Sequence, residues 1–223
     1  DQNMTGQTPA VSTSLLTLTR VAVKSKRGNG MTVRNCTFLN VLGTNTVELN
    51  GDGNSANCTV DGCTFKLAAP NGATSYFDSS TLYITGNGIR IVGNRFINAS
   101  LGSVNGTCAI EVHPGYQYLI EGNEVLNYHT ACNIAGVYET DSTGGVVQGN
   151  TFETLRRGVS LFSAAYLTHN TGYGIDGLEI DANIIRIRNQ TNWSFGTGGG
   201  VGCFGIGTPS GISLAMRNIS VGA

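Results

Sequence analysis

A six-residue unit recurs along this chain. It reads V-R-N-C-T-F at 33–38, V-D-G-C-T-F at 60–65 and I-V-G-N-R-F at 91–96. It continues as I-E-G-N-E-V at 120–125, V-Q-G-N-T-F at 147–152 and I-D-A-N-I-I at 180–185, with a worn copy, L-A-M-R-N-I, at 214–219. The start-to-start spacings are 27, 31, 29, 27, 33 and 34 residues. Self-similarity at such periods marks stacked repeats that each bury a face on their neighbours. A variable spacing around a constant unit predicts one fixed structural element with loops inserted at a fixed corner.

Each column of the unit has a physical role. The first position is Val33, Val60, Ile91, Ile120, Val147, Ile180 and Leu214. The sixth is Phe38, Phe65, Phe96, Val125, Phe152, Ile185 and Ile219. Both read as core. The third is mostly Gly or Ala, which suits a tight bend that a side chain would obstruct. The fourth is Cys36, Cys63, Asn94, Asn123, Asn150, Asn183 and Arg217. An Asn at every bend can bond the bend backbone and its own copy one layer up, forming a ladder. Cys36 and Cys63 fit that column as small buried substitutes, which counts against metal binding or a disulfide there.

A second, strand-like series lies between the copies, at 46–50, 82–85, 109–113, 158–162 and 203–207, with a weaker member at 134–138. It alternates with period two. Each repeat is therefore two or three short strands with bends, and no stretch reads as clearly helical. Composition agrees. Gly supplies 32 of 223 residues and charged residues only 12%, which disfavours a helical bundle. Hydrophobic content of 40% disfavours disorder. A net charge of -1 without a long basic run disfavours a nucleic-acid partner. No apolar run reaches the length of a membrane span. The six cysteines are spread too thinly for a zinc site and read as buried free thiols. The whole of 1–223 reads as one domain, with a poorly patterned segment at 1–15. The start at Asp1 and the strand-like last residues lead us to expect an excerpt of a longer chain.

Unequal repeats near 30 residues, each with strand, Gly-Asn bend and strand, resemble the right-handed parallel β-helix of pectate lyases, polygalacturonases and phage tailspikes. The resemblance covers roughly 15–223. It implies an all-β solenoid of about seven coils with inserted loops, near 66–80, 98–107, 164–177 and 187–201. It also implies an extracellular, cell-surface or virion location and, on the tailspike pattern, a homotrimer. The catalytic signatures of the family do not carry over. N-T-D, D-D and G-H-G are absent, and Arg186-Ile187-Arg188 only echoes R-I-K. The clustered calcium-binding Asp of pectate lyases and the D-P-H of alginate epimerases are also absent. No cofactor is expected, although sparse carboxylates and carbonyls can still bind calcium.

Stacking converts sequence into distance, because successive coils sit about 4.8 Å apart. On the second series, Glu111 and His113 alternate with Ile110 and Val112, so both are expected to face solvent. Tyr83 lies one coil earlier and Glu48 two; Tyr138 and Glu139 lie one coil later. Tyr116 follows a turn at Pro114-Gly115. Glu48 and Glu111 would stand roughly 9–10 Å apart, at the upper edge of the spacing an inverting glycosidase needs. Glu111, His113, Glu48 and Glu139 are therefore the candidate catalytic residues, by acid–base chemistry. Tyr83, Tyr116, Tyr138 and the lone Trp193 are the candidate sugar-contacting rings. A second column, Arg34, Asp61, Glu121, Gln148 and Asp181 with Arg95 and Glu124 nearby, reads more simply as a surface charge ladder. The function expected is polysaccharide binding, with hydrolase or lyase cleavage as its extension. The alternative is a non-enzymatic structural or adhesive β-helix. Three scattered histidines and no Met cluster disfavour a metal-handling protein.

Overall fold

The computed structural model describes residues 23–25, 28–39, 45–50, 56–67, 80–98, 108–136, 142–155, 157–163, 174–188, 204–207 and 215–222. All regular structure among them is β, in three parallel sheets wound as a solenoid. The second sheet holds seven strands, Thr32–Arg34, Thr59–Asp61, Arg90–Val92, Leu119–Glu121, Val146–Gln148, Glu179–Asp181 and Ser220–Val221. The third holds six, Thr37–Leu39, Thr64–Leu67, Arg95–Asn98, Glu124–Leu126, Thr151–Thr154 and Ile184–Ile187. The first sheet carries the longer strands Asn45–Asn50, Ser80–Asn87, Cys108–Tyr116, Thr130–Gly136 and Arg157–Ser163. Val23–Ser25 and Phe204–Gly207 lie at its two ends. Short strands Ser142–Thr143, Gly174–Asp176 and Ala215–Arg217 form a side limb of it.

The expected columns are present. Val33, Val60, Ile91, Ile120, Val147 and Ile180 are buried, as are Phe38, Phe65, Phe96, Val125 and Phe152. Phe38, Phe65 and Phe96 stack face to face, with centroids 4.9 Å apart in both pairs and planes within 7°. Tyr128 closes that stack edge-on to Phe96 and shares a 2.8 Å hydrogen bond with Thr81.

The bend between the second and third sheets explains the third and fourth columns. Asn35, Gly62, Gly93, Gly122, Gly149 and Ala182 all have φ between 51° and 64°. Glycine adopts this left-handed region without penalty, and Asn tolerates it. Beside it runs the asparagine ladder. The Asn123 amide donates to Asn150 Oδ1 at 3.0 Å and to the Ile91 carbonyl at 2.9 Å. Its own Oδ1 accepts from the Asn94 backbone N–H at 2.9 Å and from the Asn94 amide at 3.0 Å. Asn150 repeats the pattern and donates to Asn183, whereas Asn94 uses both donors but accepts only from the Cys63 N–H. Each inner amide thus uses both donors and accepts twice. Cys63 imitates it weakly. Its sulfur accepts from the Cys36 N–H at 3.5 Å and lies 3.6 Å from the Val33 carbonyl. Burial raises the thiols of Cys108 and Cys132, as expected of inert core cysteines.

Three expectations need correction. The seventh copy does not begin at Leu214. Ala215–Arg217 pairs with Gly174–Asp176 in the first sheet, and Ser220–Val221 pairs with Glu179–Asp181. Asn218 therefore sits in a different bend, between the first and second sheets. There Gly30, Asn57, Gly88, Gln117, Gly144 and Gly177 share its left-handed φ, between 49° and 69° across the column. Because Asn tolerates that conformation, an R-N-I triplet fits either bend. The backbone bonds Gly177 N–H to Arg217 O and Gly222 N–H to Ile180 O fix which one it takes. Second, the extra residues do not enter at one corner. The stretches of varying length lie on both sides of the first sheet's long strands, before Ser80 and Cys108 and after Asn50, Gly136 and Ser163. Third, Gly174–Asp176 is a strand inside a stretch expected as loop.

The ladder makes a graded prediction. Asn123→Ala strips partners from the Asn94 N–H, the Asn94 amide and the Ile91 carbonyl, all buried. At about 1 kcal/mol or more for each orphaned group, the expected loss is roughly 2–4 kcal/mol in urea unfolding. Asn183→Ala, at the less buried end, should cost about half as much, and Asn123→Cys should recover part of the loss.

Candidate functional site

Parallel register brings Glu48, Tyr83, Glu111 and Asn133 opposite one another on four neighbouring strands of the first sheet. Ser160 continues the row on the fifth. The flanking rows are core: Val47, Leu82, Ile110, Cys132 and Val159 on one side, Leu49, Ile84, Val112, Ile134 and Leu161 on the other. The sequence alternation is thus right, and the two expected carboxylates stand two strands apart, about 9–10 Å by strand spacing.

The expected solvent exposure of Glu111 is overturned. Its side chain keeps only 7% of its accessible surface. Its carboxylate is met from three sides. Ser80 donates its hydroxyl, Asn133 donates its amide at 3.1 Å, and His113 Nε2 lies 2.8 Å away. Burial alone would raise the Glu111 pKa, but His113, Ser80 and Asn133 outweigh it and hold the carboxyl below its ordinary value. Glu111 is therefore an ionised, hydrogen-bonded anchor and does not have the raised pKa of a general acid. Glu48 is also buried.

The members of the cluster that keep some exposure are Tyr83, His113 and Asn133, with His113 at 13% of its side-chain surface. Tyr83 stands edge-on to the His113 ring, with centroids 5.6 Å apart. Thr85 fixes the strand beside it by donating to the His113 carbonyl. Tyr116 is not part of this row. Pro114 sits at a register shift between Val112 and Gly115 inside one nine-residue strand, where no tight turn occurs. A proline tolerated at such an irregularity is the usual case for a sheet interior. Beyond it, Tyr116 pairs with Asn87 and Thr143 on the side limb.

Asn133 was missed by sequence reasoning, which placed Tyr138 and Glu139 one coil after Glu111. The strand is Thr130–Gly136, four residues earlier than its apolar pattern suggested. Tyr138, Glu139 and Trp193 lie outside the described residues. The second column is the charge ladder expected. Arg34 pairs with Asp61 at 2.8 Å, Arg95 with Glu124 at 2.5 Å, and Gln148 donates to Glu121 at 2.6 Å. Such exposed pairs are worth about 0–1 kcal/mol each. Among the described residues, no group of three His, Cys, Asp or Glu side chains is placed to hold a metal ion, and no helix is long and apolar enough to cross a membrane.

The ionised state of Glu111 can be tested by pH. Its folded pKa lies below the unfolded value of about 4.3. The stability it contributes is therefore complete above that value and lost as pH falls through the folded one. Glu111→Gln should cost about 1–3 kcal/mol near pH 6. The gap in Tm between native chain and variant should narrow steadily below about pH 4. A gap that stays the same or widens as the pH is lowered from about 6 to the lowest pH at which the chain remains folded would count against an ionised Glu111.

Comparison with known proteins places the fold. No protein-family model matches the chain, and no curated protein matches its sequence. Solved structures of the tailspike protein of E. coli bacteriophage HK620 do match. A double mutant of it aligns over 89% of this chain with a TM-score of 0.61 at 17% identity. Two further mutant structures, each in complex with a pentasaccharide, align over 86% at 18% identity, with TM-scores of 0.51 and 0.53. The chain spans 37%, 35% and 34% of those tailspike chains. At this identity the likeness is one of fold, the parallel β-helix.

Proposed function

We propose that this chain is a polysaccharide-binding segment of a virion-borne, tailspike-like β-helix, and that the glycan lies against the first sheet where Tyr83, His113 and Asn133 meet. The observation that carries this reading is the polar row itself. A carboxylate buried in a sheet interior is costly unless fully partnered. Here Ser80, Asn133 and His113 meet it, and the last two keep part of their surface open to solvent beside Tyr83. Perturbed, desolvated groups of this kind concentrate at functional sites. The pentasaccharide complexes of the tailspike that shares the fold add support.

In this arrangement Tyr83 offers an aromatic surface to a sugar ring, with a polar tip. His113 and Asn133 supply hydrogen-bonding groups for sugar hydroxyls. Glu111 acts beneath them as a positioning residue that fixes the His113 ring and the Asn133 amide. Binding without cleavage suits a Glu111 that is both buried and saturated. Cleavage would need Glu48 and Glu111 to reach the glycosidic bond, or a carboxylate such as Glu139 to join them. The same reading makes the assembled protein a homotrimer, which light scattering in solution reads directly.

The test is a panel of bacterial surface polysaccharides, assayed for binding and for new reducing ends or unsaturated sugars. The expected result is binding to one glycan that Tyr83→Ala weakens about tenfold, the loss of one aromatic contact, with Tm little changed. Reducing ends would add hydrolysis, and unsaturated products would add lyase chemistry. A chain that binds no glycan in the panel would point to a structural shaft instead.

A further inference from the structure

The asparagine ladder stops at Asn94, and the next two members of its column are thiols. Register is fixed on both sides of them. Arg34 lies opposite Asp61, Thr37 lies opposite Thr64, and the Thr64 N–H donates to the Cys36 carbonyl at 2.8 Å. The two Cα atoms are therefore one strand spacing apart, about 4.8 Å. That falls inside the span of about 4.4–6.8 Å that a disulfide bridges. The Cys63 sulfur already leans toward the neighbouring coil, 3.5 Å from the Cys36 backbone nitrogen.

Access differs between them. Cys36 is exposed, whereas Cys58, Cys63, Cys108 and Cys132 are buried. A soluble oxidant thus meets Cys36 first among the described cysteines. What the sulfurs would give up is slight. The contacts of Cys63 to the Val33 and Asp61 carbonyls are long, at 3.6 and 3.4 Å, and thiols are weak donors.

We propose that Cys36 and Cys63 form an oxidation site, closing into a cross-coil disulfide when the chain meets a small-molecule disulfide such as oxidised glutathione. The Cys36 thiolate attacks one sulfur of the oxidant, forming a mixed disulfide and releasing one thiol. Cys63 then loses its proton, and its sulfur attacks the Cys36 sulfur and expels the second thiol. Two protein thiols become one S–S bond, and the oxidant is reduced to two thiols. Burial raises the Cys63 pKa, so the second step speeds up as pH rises. The product clamps the Cys63 coil, the last that a ladder amide reaches, to the Cys36 coil beyond it.

The experiment treats the full chain with oxidised glutathione, alkylates it, digests it and maps linked peptides by mass spectrometry. The expected product is a Cys36–Cys63 cross-link, closing a loop of 27 residues. The expected gain in Tm is roughly 5–10 °C, reversed by dithiothreitol. Cys63→Ser should stop at the mixed disulfide on Cys36, without the gain in Tm. A stable mixed disulfide on Cys36 in the native chain, or a bridge from Cys36 to any other cysteine, overturns the proposal. So does a chain that glutathione leaves unmodified at Cys36.

Discussion

In a parallel solenoid a coil cannot satisfy its own backbone. Each N–H and C=O must find a partner in the coil above or below, because leaving one buried and unpaired costs about as much as a lost hydrogen bond. Even the bend groups obey this. The N–H groups of Gly62, Gly93, Gly122 and Gly149 donate to the carbonyls of Val92, Glu121, Gln148 and Asp181 in the next coil. That single requirement fixes register, and register puts like positions on top of one another. The phenylalanine stack, the amide ladder and the surface ion pairs are its consequences. It also forces unlike residues together, which is how Tyr83 comes to separate Glu48 from Glu111.

The parts of this fold legible in the sequence are those where a column keeps one chemical type. Val33 to Ile180, Phe38 to Phe152 and Asn94 to Asn183 announce themselves because a stack rewards repetition. The bend between the first and second sheets escaped notice. Its members, Gly30, Asn57, Gly88, Gln117, Gly144, Gly177 and Asn218, share a backbone conformation but no side-chain chemistry. Overlooking it also misplaced the last copy, because L-A-M-R-N-I was read as the ladder bend with Arg217 at the ladder position.

The candidate site was half legible for a related reason. Period-two alternation identified the row of Glu48, Tyr83 and Glu111, since alternation is a property of one strand. Burial is a property of what surrounds a strand, and nothing in A-I-E-V-H distinguishes a solvated glutamate from a buried one. Asn133 was hidden because its strand begins with small residues, Thr130 and Ala131, so the apolar pattern pointed four residues too late. The roles shift with the burial. Glu111 passes from reacting group to support, and contact falls to its neighbours His113, Tyr83 and Asn133.

The two left-handed bends also bear on how such a chain can change over generations. They turn the chain at the same two points of every coil, however many residues lie between one coil and the next. The intervals between successive ladder positions, 27, 31, 29, 27 and 33 residues, differ without altering the stack. Insertions and deletions next to the first sheet's long strands therefore leave the pitch untouched, whereas one lost residue between the two bends would break every column at once. Recombination between two such genes at a bend would join compatible halves. The outer surface can diversify by cassette exchange around an axis that stays the same.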